Sequence, residues 1–234
     1  SARREFGEAL VLIPGLLEEW LQTVLPSTID RSRMERKERV DLPFEMIREA
    51  VVNALVHRDY DLAGQKCQLV VDAHTIKVKS PGGPIPPITL DQLNAFSAPM
   101  KSRNPQLHYV FARMGMAEEQ GFGLEKSLKR RAEELGLPLP GFAMDGDYLV
   151  LTIFRTPKAA GIALPVGLRD RLTKAEMAGW QWLSTKERVT TPEYEKAMGV
   201  PNRTAKNQIK KLADLGLLRK RGAGPATFYE VVRP

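Results

Sequence analysis

The sequence predicts an α/β body followed by a second, smaller domain of helices and a terminal hairpin. Three observations carry this reading. The first is the placement of charge. The chain of 234 residues has a net charge of +7, yet the last 67 residues hold 14 of its 35 Lys/Arg and only 7 of its 28 Asp/Glu. That leaves 21 of each sign in residues 1–167, so the whole excess lies in the C-terminal part. The second is "TPKAAGIALPVGLRD" (156–170), with two prolines, two glycines and little apolar periodicity, which reads as a linker. The third is a mixture of helical and strand periodicities before the linker, against an almost wholly helical pattern after it. The expected division is 1–155, a linker at 156–170, and 171–234.

In the body, "PGLLEEWLQTVL" (14–25) is amphipathic with a helical period. "LPFEMIREAVVNALVHRDY" (42–60) is a longer helix with Pro43 near its start. "KCQLVVDA" and "TIKVKS" form a hairpin over His74-Thr75, and "DYLVLTIF" (147–154) is a late strand. Residues 104–115 and 123–136 read as helices. The strands can build one sheet with helices on a face.

After the linker, Thr173 and Glu176 make a capping box for a helix over 173–187. Thr191 is the expected N-cap of the next helix, with Pro192 at its first position and Gly199 at its end. Asn202 is the expected N-cap of a third, whose Ala205, Ile209, Leu212 and Leu215 face inward. Its opposite side carries Arg203, Lys206, Asn207, Lys210 and Lys211. "LLRKR" and "ATFYEVV" flank a Gly-rich tip, a second hairpin.

Composition removes several function classes. "ALVLIPGLL" is too short to span a bilayer and has no small-residue cleavage site behind it. One cysteine, Cys67, makes neither an internal disulfide nor a Cys-based zinc site, and it sits in a strand as a packed thiol. His57, His74 and His108 lack metal-ligand spacing. No GxxxxGK[ST] loop occurs, which excludes a P-loop motor. A reducing cytoplasm fits this composition.

Helix, helix, short turn, basic helix and basic hairpin is the pattern of a winged helix-turn-helix, and "TTPEYEKAMGVPNRTAKNQIKKLADLGLLRKRG" closely resembles such modules of bacterial transcription regulators. The basic helix would enter the major groove of double-stranded DNA. Asn202, Arg203 and Thr204 at its start would approach base edges. Lys206, Asn207 and Lys210, with Arg219, Lys220 and Arg221 of the hairpin, would supply further contacts.

The helix over 42–60 poses a second question. Glu49, Asn53 and His57 recur every four residues, so a mostly apolar helix carries one polar stripe. "SPGGP" (80–84) follows a strand, and "EQGFGLEKS" (119–127) sets glycines before a helix, where freed N–H groups can face an anion. An asparagine amide suits Mg²⁺, and a Glu one turn earlier can orient or deprotonate water. The same stripe also reads as an internal polar network that fixes the helix.

In this order the motifs resemble the GHKL (Bergerat) nucleotide-binding α+β sandwich of gyrase, Hsp90, histidine kinases and MutL-type proteins. "REAVVNALVHRDY", "KVKSPGGPIP", "KSRNPQL" and "EEQGFGLEK" are closer still to the C-terminal module of RecG-like helicases and Schlafen/AlbA-type regulators. The resemblance covers roughly residues 5–155. It implies ATP and Mg²⁺ as ligands, with Asn53 holding the metal and Glu49 activating water if ATP is hydrolysed. Gly82 and Gly83 would lie near the base. Gly121, Gly123 and the Leu124 amide would cradle phosphates. Arg103 and Asn104 would make phosphate or structural contacts, with His57 and Arg58 in support. One departure is that Ser80 or Pro81 stands where the family has an adenine-reading Asp. A serine there is a weaker reader than a carboxylate.

Three functions follow as expectations: a DNA-binding transcriptional regulator with ATP–Mg²⁺ as effector; a DNA-dependent ATPase of RecG-like type; or a degenerate GHKL scaffold for dimerisation or partner docking. A homodimer suits paired half-sites. Relatives commonly carry a Schlafen/AlbA-type domain upstream, and this chain starts about where one would end.

Overall fold

The computed structural model of the chain describes residues 4–24, 28–30, 37–39, 43–117 and 123–232. Helix α1 (Ile13–Val24) and the strand pair β1 (Thr28–Asp30) and β2 (Lys37–Arg39) precede the central helix α2 (Phe44–His57). A four-stranded antiparallel sheet follows, built from β3 (Gln68–Val71), β4 (Thr75–Pro81), β5 (Gly141–Asp145) and β6 (Tyr148–Phe154) in the order β3-β4-β6-β5. Between β4 and β5 run α3 (Leu90–Asn94), α4 (Pro105–Arg113) and a helical segment that is π-wound over Leu124–Arg130 and becomes α5 at Arg131–Glu134.

The expected hairpin over His74-Thr75 is present. Asp72 fixes it: one carboxylate oxygen accepts from the His74 and Thr75 amides at 2.7 and 2.6 Å, and the other from the Thr75 hydroxyl at 2.7 Å. Along β4 the pleat sends Ile76, Val78 and Ser80 inward and leaves Lys77 exposed. Helix α2 packs on that inner face. Met46, Ile47, Ala50, Val51, Ala54 and Leu55 are among its buried residues, so it is apolar nearly all round.

Strand β5 was not expected. "MDGD" holds its signal, a Gly-Asp loop between Asp145 and Tyr148, and Gly146 adopts φ +58° there. The short α3 was not expected either. It is capped by Thr89, which with Gln92 forms a capping box.

The second unit comprises α6 (Ala159–Ile162), α7 (Val166–Arg169), α8 (Lys174–Leu183), β7 (Arg188–Val189), α9 (Thr191–Met198), α10 (Asn202–Asp214), β8 (Leu218–Arg221) and β9 (Phe228–Val231). Its three strands form one antiparallel sheet in the order β7-β9-β8. Within residues 156–170, Ala159, Ala160 and Leu164 are buried, and the Trp180 indole donates to the Ala160 carbonyl at 3.2 Å. Two local expectations need correction. The cap of α9 is Thr190, whose box with Glu193 outcompetes Thr191. Asn202 begins α10 instead of capping it, and its amide donates to Glu195 at 2.7 Å. Among the described residues no helix is long and apolar enough to cross a membrane.

Gly179 lets α8 approach α9. A Cβ there would collide with the hydroxyl of buried Tyr194, which donates to Gln208 at 2.9 Å and whose ring meets Trp182 edge-on. Gly179→Ala is therefore expected to destabilise this unit by about 2 kcal/mol, overpacking outweighing the helix propensity gained. The midpoint of urea unfolding followed by tryptophan fluorescence checks this, and an unchanged or raised midpoint contradicts it.

Candidate functional site

The polar stripe of α2 faces a cleft. Glu49, Asn53 and His57 all line it, together with Gly82, Gly83, Lys101, His108, Gly123 and Leu124. Sheet residues Val78, Leu149 and Leu151, loop residues Ile85 and Ile88, and Leu93 of α3 make most of its walls apolar. Its volume is about 150 Å³. At one end Asn53 Nδ2 donates to Glu49 Oε1 at 2.7 Å. Gly123 is buried directly against that carboxylate, in space a Cβ would need. Any larger residue at 123 would displace Glu49.

At the other end α2 stops, and its last four carbonyls lack helical partners. Each is taken by a side chain. Ala54 O accepts from the Ser80 hydroxyl at 2.7 Å and faces the Cys67 thiol at 3.6 Å. Leu55 O accepts from Tyr60 at 3.0 Å, Val56 O from Asn104 at 2.8 Å, and His57 O from Arg103 Nε at 3.0 Å. The Arg103 guanidinium also pairs with Asp59 at 3.2 Å and donates to Gly83 O at 2.9 Å. Gly82 has φ +96°, and a Cβ on it would lie 2.7 Å from Asp59 Cβ. The turn's amide, Gly82 N, donates to Asp147 O at 2.8 Å.

Three comparisons with known proteins bear on this arrangement. Residues 64–153 match the family described as "Putative ATP-dependent DNA helicase recG C-terminal". The match spans the sheet, the glycine turn and α4, and leaves Glu49 and Asn53 just outside it. No curated protein matches. Among solved structures, the DIP2311 protein from Corynebacterium diphtheriae superposes with a TM-score of 0.54 at 19% identity, over 94% of this chain and 45% of that one. The chain thus shares that protein's fold over less than half its length.

The structure brings Glu49, Asn53, Gly82, Gly83, Gly123 and Leu124 to one cleft. It turns Arg103 and Asn104 to the backbone around α2, a structural duty. Gly121 lies outside the described residues. Lys101 and His108 were missed as cleft residues: "KSRNPQL" pointed to Arg103 and Asn104, and residues 104–115 read only as a helix. Among the described residues no group of three His, Cys, Asp or Glu side chains is placed to hold a metal alone. A cation here would need oxygens from its ligand as well.

On the second unit, Asn202, Arg203, Thr204, Lys206, Asn207 and Lys210 are exposed on α10, opposite buried Ala205, Ile209 and Leu212. Lys211 instead pairs with Glu176 at 2.6 Å. On β8, Lys220 is exposed, Arg221 pairs with Glu230 at 2.9 Å, and Arg219 pairs with Asp91 of α3 at 3.1 Å.

Burial lowers the pKa of His57 to about 4, with His108 and Arg103 adding to the effect. The imidazole is therefore neutral at pH 7. Above pH 6.5 the folded and unfolded states both hold it neutral. As the pH falls from 6.5 towards 4, only the unfolded state gains the proton, and stability drops by on the order of 3 kcal/mol. We expect His57→Gln to flatten the pH dependence of unfolding across that window. Equal slopes for variant and wild type would contradict the assignment.

Proposed function

We propose that this chain is a DNA-binding regulator whose body takes a Mg²⁺–nucleotide as effector. The observation that carries the reading is the gathering of the α2 stripe, the glycine turn and Gly123 around one apolar cleft. The donor set fits the ligand: the Asn53 amide and Glu49 carboxylate offer hard oxygens, Lys101 a cation, and the apolar walls a slot for a planar base. Bound Mg²⁺ would neutralise phosphate charge. Glu49 holds the Asn53 amide in place, while Ile85, Ile88 and Leu93 keep water from the slot. The similarity of residues 64–153 to the RecG C-terminal family supports a nucleotide-related role.

The second unit is read as a winged helix-turn-helix: α9 and α10 as its helix pair, and the β8–β9 hairpin as its wing. The exposed cations of α10 suit phosphates and base edges of double-stranded DNA. Helix α3 supplies a physical bridge between the two units. Leu93 lines the cleft, Asn94 exchanges two hydrogen bonds with the Phe142 backbone at 2.9 and 2.8 Å, and Asp91 holds Arg219 of the wing. A ligand that shifts α3 changes the access of DNA to Arg219.

The test is fluorescence anisotropy of labelled double-stranded DNA against salt, with and without Mg²⁺–ATP. Replacing both Lys206 and Lys210 with Ala is expected to flatten the log K against log salt slope by about 2, roughly one unit per lost phosphate contact. Mg²⁺–ATP is expected to change the wild-type affinity, and Asp91→Asn to shrink that change. Unaltered DNA affinity in the Lys206/Lys210 double variant would defeat the DNA reading. ATP-independent affinity in wild type would defeat the effector reading.

A further inference from the structure

We infer that the second unit carries a further nucleic-acid surface, apart from α10, that takes a single strand. Its place is a depression between the end of α8, β7 and α9. Trp182, Lys186, Arg188, Glu193 and Lys196 line it, with Val189 and Ala197 as the apolar remainder. Its volume is about 490 Å³. The turn of α9 sets its direction. At about 100° per residue, Tyr194 and Glu195 share one side, where they are hydrogen-bonded to Gln208 and Asn202 of α10. Glu193, Lys196 and Ala197 lie on the other side and face the depression. Helix α9 therefore stands between this surface and α10.

Charge gives the class of partner. The depression holds three cations against one carboxylate. Glu193 accepts from the Thr190 amide and hydroxyl at 2.7 and 2.8 Å, which holds its carboxyl below the usual carboxylate range and keeps it ionised. Two neighbouring carboxylates are each matched by a cation that does not line the depression. Glu187 pairs with Lys129 of the body at 2.9 Å, and Glu230, across the strand pair from Arg188, pairs with Arg221 at 2.9 Å. Among the described residues no carboxylate makes an ion pair with Arg188 or Lys196. An excess of positive charge in a hollow draws a phosphate backbone.

Shape and aromatic content give its form. A duplex is a stiff convex rod, met by protruding elements such as α10. A single strand bends into a hollow, and its unpaired bases stack on aromatic rings set beside cations. Trp182 is half-buried, with its ring edge-on to Tyr194 at 6.1 Å and the Lys186 ammonium 5.9 Å from its centre. The Arg188 guanidinium lies 5.7 Å from the centre of the Phe228 ring. A cation–π contact at an exposed site is weak. A base laid on Trp182 displaces Lys186, whose ammonium then meets the adjoining phosphate.

Fluorescence anisotropy of a labelled oligothymidylate with the full chain tests this, beside the labelled duplex. Lys186, Arg188 and Lys196 are exposed, so replacing all three with Ala leaves the fold intact. That triple variant is expected to bind the single strand more weakly and to flatten its salt slope by about 2, at roughly 0.7 per lost phosphate contact, with duplex binding retained. Excess unlabelled duplex is expected to leave the strand bound. No single-strand binding by wild type, or equal single-strand affinity in the triple variant, overturns the inference and leaves the duplex reading of α10 standing. Displacement of the strand by duplex, or equally tight binding of a polyglutamate peptide, overturns it too.

Discussion

The C-terminal end of α2 is the constraint on which the rest of the body depends. Four carbonyls, from Ala54 to His57, emerge where the helix stops, in a half-buried part of the molecule. Each hydrogen bond that satisfies them adds only about 1 kcal/mol net, but a buried carbonyl left unpaired costs about 1–3 kcal/mol. The partners come from four places: Cys67 just before β3, Ser80 of β4, the loop after α2, and the approach to α4. One helix end therefore fixes the sheet, the glycine turn and α4 at once. Arg103 makes the tie tighter, since a single guanidinium joins His57 O, Asp59 and Gly83 O.

That anchoring gives the polar stripe its direction. With its far end held and its apolar sides packed on β4 and α1, the helix has one azimuth, and Glu49, Asn53 and His57 must face the cleft. The same ties have a chemical consequence. Donors at the glycine turn are occupied in holding the helix: Ser80 gives its proton to Ala54 O, and Arg103 gives its own to His57 O, Asp59 and Gly83 O. The polar side chains of the cleft are Glu49 and Asn53 at one end, with His57, Ser80, Lys101 and His108. What the cleft offers is shape and one cation-friendly end more than a ring of donors.

Periodicity made most of the elements legible. α2, α4, α8, α10 and the β3–β4 hairpin are near where the 3.6 and 2.0 patterns put them, because each buries a continuous apolar face. The stripe was visible because polar residues in an apolar helix break that pattern. Elements with little apolar periodicity were not visible: α3 is five residues long and stands on a capping box, and β5 follows a buried Pro-Leu-Pro run. The roles of Arg103 and Asn104 were hidden for a different reason. The α2 carbonyls they reach are more than 40 residues away, and no spacing rule encodes such a contact. The burial within 156–170 left no periodic signal because short Ala/Gly helices bury little each; they lie against Trp180, Met177 and Gln181 of α8.

The account stands most directly on Asn53. Isothermal titration of ATP with Mg²⁺ into wild type and Asn53→Ala isolates it, because the amide lies in the cleft and outside the cap network. We predict binding in the wild type and its loss in the variant, with both proteins showing the same circular dichroism spectrum. A folded wild type that binds no nucleotide, or a variant that binds as tightly as wild type, would contradict the claim that this stripe builds a metal–nucleotide site.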